Sequence, residues 1–318
     1  MIHRIFVVLI LCALCRPDVV AARAPLIAER STVVSTNRTK IFVSERTTHR
    51  IVILSSDGKP IGSIARNSSD TVTTDREGNL YAAPEYGNRV EIYAPPYARV
   101  SKILSFGTQS VRFVATDQKS DIFAVVTVYN GGGPGPPMIY FFKHGATSPC
   151  NVLKQQPGIP VYYAYGAFDS QGTLFLSAGN DSGETTVASV PGECSATKAT
   201  NNVFSQPLDP YGIVTIDANN DVVIQDFSVS SWPIYTFRHP INHVFGAPIS
   251  TTTLATEHGY APQALAMGND GHSIWGAFAG RFAGLNAYAY PAGGKPIQRI
   301  GGLQYIWSVA TYPAFIPK

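Results

Sequence analysis

The sequence predicts an all-β protein made of repeated four-stranded units, and three observations lead to that prediction. Only 14% of the 318 residues are charged, while 28 Gly and 23 Pro supply many turns. Short runs of β-branched and aromatic residues alternate with polar ones and end at Gly, Asn or Asp. Turns headed by Asp recur at intervals of 42, 52 and 48 residues, at Asp75, Asp117, Asp169 and Asp217.

The clearest unit is residues 71–93, which read strand, tight turn, strand, loop and strand. A fourth strand follows over residues 100–104, after the Pro95-Pro96 turn. One such unit cannot bury its apolar faces alone, because both faces of the sheet need neighbours. The pattern therefore predicts that copies of the unit pack against one another.

The other units follow in chain order. The first shows only three strands, at residues 40–44, 50–54 and 60–64. The third is predicted at 111–116, 122–126, 138–142 and 150–153, and the fourth at 163–168, 174–177, 185–190 and 195–200. The fifth is predicted at 212–216, 222–225, 234–237 and 251–255, and the sixth at 263–267, 273–278, 285–290 and 296–300.

The recurring Asp is interpreted as a turn former. An Asp at the head of a tight turn accepts hydrogen bonds from backbone N–H groups two residues further on. A calcium loop is the alternative, but one carboxylate per turn does not supply the roughly 6–8 oxygens that calcium takes.

The two ends of the chain complete the architecture. Residues 306–313 resemble the innermost strand of a unit, and the first unit lacks that strand. The last strand is therefore expected to join the first unit and close a ring. A repeat of about 40–50 residues with four short strands is typical of a propeller blade. The prediction is a six-bladed β-propeller in which the C-terminal strand closes the N-terminal blade.

The motif Gly78-Asn79-Leu80-Tyr81, followed by Val90-x-Ile92-Tyr93-Ala94-Pro95, resembles the NHL-type and related six-bladed propeller repeats of exported bacterial proteins. The resemblance covers about residues 38–316 and implies the propeller fold. It implies no single activity, because this fold carries hydrolases, lyases, scaffolds and binding modules.

The N-terminus predicts export. Residues 1–22 combine Arg4, an apolar run over 5–15 and small residues near Ala22, as a cleaved signal peptide does. The apolar run is too short for a membrane span, which takes about 20 residues. A lipid anchor on Cys12 or Cys15 is a weaker alternative, since Leu precedes each. Residues 23–37 are interpreted as an extended lead-in and 38–318 as one propeller domain.

Two cysteines remain after the signal peptide, Cys150 and Cys194. They occupy similar places in successive units, and equivalent outer positions on neighbouring blades are expected to lie beyond the ~7 Å Cα limit for a disulfide. The sequence therefore favours two partly buried free thiols, with a disulfide as the alternative.

A ligand is expected at the rim formed by the between-blade connections and the loops from second to third strands. Aromatic rings beside a few polar groups suit a shallow site for a carbohydrate, a peptide or a protein partner. The candidate rim residues are Asp70, Arg112, Tyr162, Tyr211, Glu257, His258 and Trp307. Each aromatic among them has the simpler alternative of packing between blades.

The sequence favours a monomeric binding module without catalysis. Gluconolactonase-type propellers hold a divalent ion with channel carboxylates and Asn, whereas the predicted inner strands here carry neither, so no metal or cofactor is expected. A lyase would need a His base near a carboxylate, and Glu257-His258 is the only adjacent pair. The net charge of +3 without a basic run disfavours nucleic acid. The alternative is a lactone hydrolase or lyase at the channel mouth.

Overall fold

The computed structural model describes residues 39–67, 70–85, 87–119, 121–129, 138–154, 165–179, 185–205, 208, 213–226, 231–255, 262–278 and 284–318. The predicted signal peptide (1–22) and lead-in (23–37) lie outside the described residues. Within the described ranges, no helix is long and apolar enough to cross a membrane.

The predicted six-bladed β-propeller is confirmed: six antiparallel sheets form the six blades of a ring. Blade 1 contains β1 (Lys40–Glu45), β2 (Arg50–Ser55), β3 (Pro60–Ala65) and β25 (Ile306–Tyr312). Blade 2 contains β4 (Asp70–Thr74), β5 (Leu80–Pro84), β6 (Arg89–Tyr93) and β7 (Lys102–Ser105). Blade 3 contains β8 (Gln109–Thr116), β9 (Ile122–Tyr129), β10 (Met138–Lys143) and β11 (Asn151–Leu153).

In blades 2 to 6 the strands follow one another from the channel outward, whereas in blade 1 the innermost strand is β25. Blade 4 contains β12 (Tyr165–Phe168), β13 (Leu174–Gly179), β14 (Thr185–Val190) and β15 (Thr200–Phe204), with β19 (Val244–Phe245) added at its edge. Blade 5 contains β16 (Val214–Ile216), β17 (Val222–Gln225), β18 (Ile234–Phe237) and β20 (Ser250–Thr252). Blade 6 contains β21 (Ala264–Met267), β22 (Ser273–Phe278), β23 (Gly284–Ala289) and β24 (Gly293–Ile300).

The apolar core lies between the blades. Val72 of β4 packs with Phe42 and Ala310 of blade 1. In blade 3, Phe113 of β8 packs with Leu174 of blade 4. Successive strand residues point to opposite faces of a sheet, so each blade contributes one layer to each of two neighbours. This explains why the middle strands are apolar on both faces.

The closure prediction is also confirmed. β25 pairs antiparallel with β1, placing Val309 opposite Val43 and Thr311 opposite Ile41. The first blade thus takes its innermost strand from the last residues of the ring, and the innermost edge of β1 is covered.

Blade 4 departs from the prediction at its outer edge. The fourth strand is β15, not residues 195–200, because Glu193–Ser195 form a turn of 3₁₀ helix. The two-residue strand β19 then pairs in parallel with β15, with Val203 opposite Val244. The connection after β18 crosses back from blade 5 to blade 4 and supplies this fifth strand.

The expectation of free thiols is wrong, because Cys150 and Cys194 form a disulfide with Cα atoms 5.3 Å apart. Cys150 precedes the outer strand of blade 3, whereas Cys194 lies in the 3₁₀ turn of blade 4, so the two positions are not equivalent. Asn151 Nδ2 donates to the carbonyl oxygen of Ala196 at 2.6 Å, which holds that turn against blade 3. The turn brings the second sulfur within reach of the first.

The prediction that the recurring Asp forms a tight turn is confirmed by its hydrogen bonds in blades 2 to 5. Asp75 Oδ1 accepts from the backbone N–H of Glu77 at 3.0 Å, and Asp117, Asp169 and Asp217 each accept from the residue two positions later at 2.8 Å. In blade 6 the turn begins at Gly268, and Asp270 accepts from the backbone of His272 and Ser273.

In two of these turns, those of Asp75 and Asp217, the second carboxylate oxygen also contacts a neighbouring blade. His144, after β10, lies 3.3 Å from Asp75 Oδ2, and Tyr290, after β23, donates to Asp217 Oδ2 at 3.1 Å. Burial, with a contribution from Asp217, raises the pKa of Tyr290 above its ordinary value, so the hydroxyl keeps its proton. The repeated Asp is thus a turn former and, in these two turns, a blade-to-blade contact.

Lys40 is a buried cation at the start of β1, with 1% of its surface exposed. Its Nζ lies 5.5 Å from the centre of the Tyr312 ring and 5.9 Å from that of Tyr97. Within the described residues, this Nζ has no hydrogen-bond acceptor. Burial lowers the pKa of Lys40, because the charged form loses its water.

We expect Lys40→Met to raise the free energy of unfolding at neutral pH by about 1 kcal/mol, because it removes a buried donor that lacks an acceptor. The unfolded chain binds the Lys40 proton more tightly than the folded one. Wild-type stability relative to the variant therefore rises with pH from the lowered folded pKa up to the ordinary lysine value. Urea denaturation of both proteins from neutral to alkaline pH measures this; a constant difference would contradict it.

Candidate functional site

The channel at the centre of the ring is lined by the innermost strand of every blade and encloses about 180 Å³. Each of these strands stands at the end of its sheet order and turns its unpartnered edge inward. Every described lining residue is uncharged, and hydroxyl side chains such as Thr71, Thr73, Thr215 and Ser308 are prominent among them.

Three threonines join four neighbouring inner strands at the end of the channel where the Asp-headed turns lie. Thr311 donates its hydroxyl to the carbonyl oxygen of Met267 at 3.3 Å. Thr74 donates to that of Thr311 at 2.6 Å, and Thr116 to that of Thr74 at 2.7 Å. These hydroxyls satisfy carbonyl groups on the inner edges of the sheets, so the polar groups at this end of an otherwise largely apolar wall are internally bonded.

An aromatic and cationic cluster lies at the opposite end, on the rim. The guanidinium of Arg46, in the β1–β2 loop, lies 4.9 Å from the centre of the Trp307 ring and 5.6 Å from that of Tyr305. Arg46 Nη2 also lies 3.5 Å from Glu85 Oε1, beyond the end of β5. We call these four residues, Arg46, Glu85, Tyr305 and Trp307, the rim cluster.

The geometry of the cluster suits ligand contact. The Arg46 side chain is 43% exposed and that of Glu85 12%. A guanidinium over aromatic faces is held in place while part of its N–H fork remains in solvent. The cluster can stack on a flat ligand and donate hydrogen bonds to it.

Buried Glu45 fixes the backbone that carries the cluster. Its carboxylate accepts from Arg50 Nε at 2.6 Å and from the backbone N–H of Gln304 at 2.7 Å. The backbone N–H of Arg46 donates to the carbonyl oxygen of Tyr305 at 2.8 Å. The β1–β2 loop and the connection into β25 are therefore held together directly beneath the half-buried rings of Tyr305 and Trp307.

Two large rim residues adopt a backbone conformation that is unusual for their type. Tyr305 and Trp232 both have φ of 42°, in the left-handed region. Aromatic residues seldom adopt this conformation, and such positions concentrate at binding and catalytic sites. Tyr305 belongs to the rim cluster, and Trp232 lies in the β17–β18 loop on the same rim.

The structure describes three of the seven candidate rim residues. Trp307 is in β25 within the rim cluster, Arg112 is in β8 and accepts from the Thr71 hydroxyl at its carbonyl oxygen (3.2 Å), and Asp70 begins β4. Tyr162, Tyr211, Glu257 and His258 lie outside the described residues. Sequence reasoning did not single out Arg46 or Glu85. The available signal was the presence of two large aromatic residues, Tyr305 and Trp307, where the chain enters the closing strand.

Across the described part of the chain, no three His, Cys, Asp or Glu side chains are grouped so that they could hold a metal ion. The channel wall offers hydroxyl, amide and backbone groups.

Comparison with known proteins extends the description of the fold. No family model and no curated protein matches the sequence. Among solved structures, a protein of unknown function from Bacteroides caccae is 10% identical with a TM-score of 0.59, covering 86% of this chain and 98% of that one. A chain of the nidogen/laminin complex is 10% identical with a TM-score of 0.61 and the same coverages.

TolB from Acinetobacter baumannii is 11% identical with a TM-score of 0.58, covering 87% of this chain and 67% of that one. At these identities the likeness concerns the fold alone, because one fold carries many functions. The chain is a six-bladed β-propeller similar in architecture to these proteins.

Proposed function

We propose that this protein is an exported, NHL-like binding module that recognises a carbohydrate or peptide ligand on its rim and has no catalytic activity of its own. One observation carries the proposal: Arg46 is stacked on Tyr305 and Trp307 at the channel mouth, partly exposed and fixed from below by buried Glu45. Rigid aromatic surface beside a fixed polar group is what sugar and peptide sites use.

Export is part of the same proposal, with signal-peptide cleavage near Ala22. The Cys150–Cys194 disulfide supports it, because disulfides form and persist in oxidising compartments. We also propose that the mature protein is a monomer, since closure of the ring covers the innermost edge of β1.

We expect Trp307→Ala to weaken ligand binding about tenfold or more, because it removes the larger of the two rings under Arg46. The measurement is binding of the purified wild type and variant to glycan and peptide arrays, followed by calorimetry with the strongest array ligand. Trp307→Phe is the control, since it keeps an aromatic face and is expected to retain most of the affinity.

Equal affinity of the Ala variant and the wild type would contradict the proposal. The enzymatic alternative predicts that the wild type turns over a lactone and that Glu257→Ala or His258→Ala abolishes this turnover. That result would favour a lactone hydrolase or lyase over a binding module without catalysis.

A further inference from the structure

The segment after β25 crosses one end of the channel. Ala314, Phe315 and Pro317 line the same cavity as the six inner strands, and Pro317 is buried. The Phe315 ring lies against the turn of blade 6, where a Cβ added to Gly271 would lie 2.8 Å from it. It also packs against the apolar cluster that Val223 of blade 5 shares with Met267 of blade 6. The segment therefore extends from blade 1 beneath blades 6 and 5.

This crossing gives the two ends of the channel different characters. The end near the Asp-headed turns is covered by residues 314–317, whereas the rim cluster stands at the other end. We infer that the channel is a one-ended binding cavity, entered from the rim, for an uncharged hydroxyl-rich molecule of about the size of one sugar ring. The inference rests on the proposed function and names the class of ligand that the deepest part of the site would bind.

Size and charge define that class. A cavity of about 180 Å³ is close to the ~150 Å³ of an engineered cavity that holds benzene, so one six-membered ring fits. Every described lining residue is uncharged, so a charged ligand would lose its water without gaining a counter-charge.

The polar groups of the wall favour a hydroxylated ring over an apolar one. Several Thr hydroxyls bond within the wall, but two hydroxyl side chains that line the cavity can still serve a ligand. Ser308 Oγ accepts from the N–H of Val72 at 3.1 Å and keeps its own hydrogen to donate, and the Thr215 hydroxyl can donate and accept. Inner-strand edges without a strand partner add backbone groups to these hydroxyls. An apolar ring would leave such groups without hydrogen bonds, whereas the hydroxyls of a neutral sugar can bond to them. Tyr305 and Trp307 at the entrance offer faces on which a second sugar ring can stack.

Calorimetry and thermal shift with neutral monosaccharides and their methyl glycosides test the inference. We expect at least one to bind, and its charged counterparts of equal size, the uronate and the amino sugar, to bind at least tenfold more weakly. Ala266→Leu narrows the channel and is expected to reduce affinity at least tenfold. Ala65→Leu makes the same change on the exposed outer strand of blade 1 and is expected to leave affinity unchanged.

Truncation after Pro313 tests the covered end. The truncated protein is expected to bind the same sugar several-fold more weakly, with faster dissociation. No binding by any neutral monosaccharide, equal binding of the charged counterparts, or full affinity in Ala266→Leu would overturn the inference. Unchanged affinity after truncation would overturn the one-ended channel. If Trp307→Ala abolishes array binding while Ala266→Leu does not affect it, the rim function stands and the channel inference fails.

Discussion

Arg66→Leu is expected to lower the free energy of unfolding by about 3 kcal/mol, because it leaves a buried carboxylate without its main partner. Arg66 follows the outer strand of blade 1, and its guanidinium contacts Glu91 on β6 of blade 2. Only 6% of the Arg66 side chain and 7% of that of Glu91 are exposed. Tyr93 and Arg89 also donate to this carboxylate, at 2.8 and 2.6 Å.

The same network makes the contribution of Glu91 to the free energy of unfolding depend on pH. Burial alone would raise the pKa of Glu91, but hydrogen bonds from Arg66, Arg89 and Tyr93 outweigh it and lower the pKa below its ordinary value. The contribution of Glu91 is therefore present above the ordinary glutamate pKa and is lost as pH falls through the lowered folded value.

Two controls accompany the Arg66 variant in denaturant titrations. Arg76→Ala breaks a solvent-exposed ion pair with Asp121, with side chains 44% and 58% exposed, and is expected to cost at most about 1 kcal/mol. The double variant Arg66→Leu with Glu91→Leu is expected to recover part of the loss, since no buried charge is left unpaired. If Arg66→Leu and Arg76→Ala cost the same, the buried pair does not stabilise the seam between blades 1 and 2.

Replacing Cys150 and Cys194 by Ser is expected to lower the free energy of unfolding by up to about 4 kcal/mol. The bond closes a loop across a sequence separation of 44 residues, and its removal returns that chain entropy to the unfolded state. The comparison is a thermal or urea melt of the oxidised wild type and the double variant. A reducing agent should shift the wild type toward the variant and leave the variant unchanged; equal midpoints without the reductant would show that the bond adds no stability.

Much of the fold could be predicted because its determinants are local and repeated. Asp75 and its three equivalents define the tight turns of blades 2 to 5 by their own hydrogen bonds, so their spacing gives the length of the repeat. The three-stranded pattern of the first unit and the additional strand pattern at residues 306–313 identify the closing pair. Both features depend on short stretches of chain and on the need to cover sheet edges.

The parts that were missed depend on contacts between distant residues. The disulfide exists because the 3₁₀ turn at Glu193–Ser195 folds toward blade 3, and no local pattern specifies that direction. Arg46 and Glu85 are ordinary charged residues in sequence, and they become a site only because Tyr305 and Trp307 are brought beside Arg46 from the far end of the chain. Trp307 could be proposed in advance because a large ring at the start of an inner strand must face either a neighbouring blade or the rim.

Ring closure also sets the order in which this chain can fold. Val43 finds its partner in Val309, so this pairing waits until nearly the whole chain has been synthesised. Contacts between residues so far apart in sequence carry a large loop-closure entropy and form slowly. During synthesis the inner edge of β1 stays bare and able to pair with other strands. The interval before β25 arrives is therefore the period in which this protein is most exposed to misassembly, and a factor that shields β1 would act then.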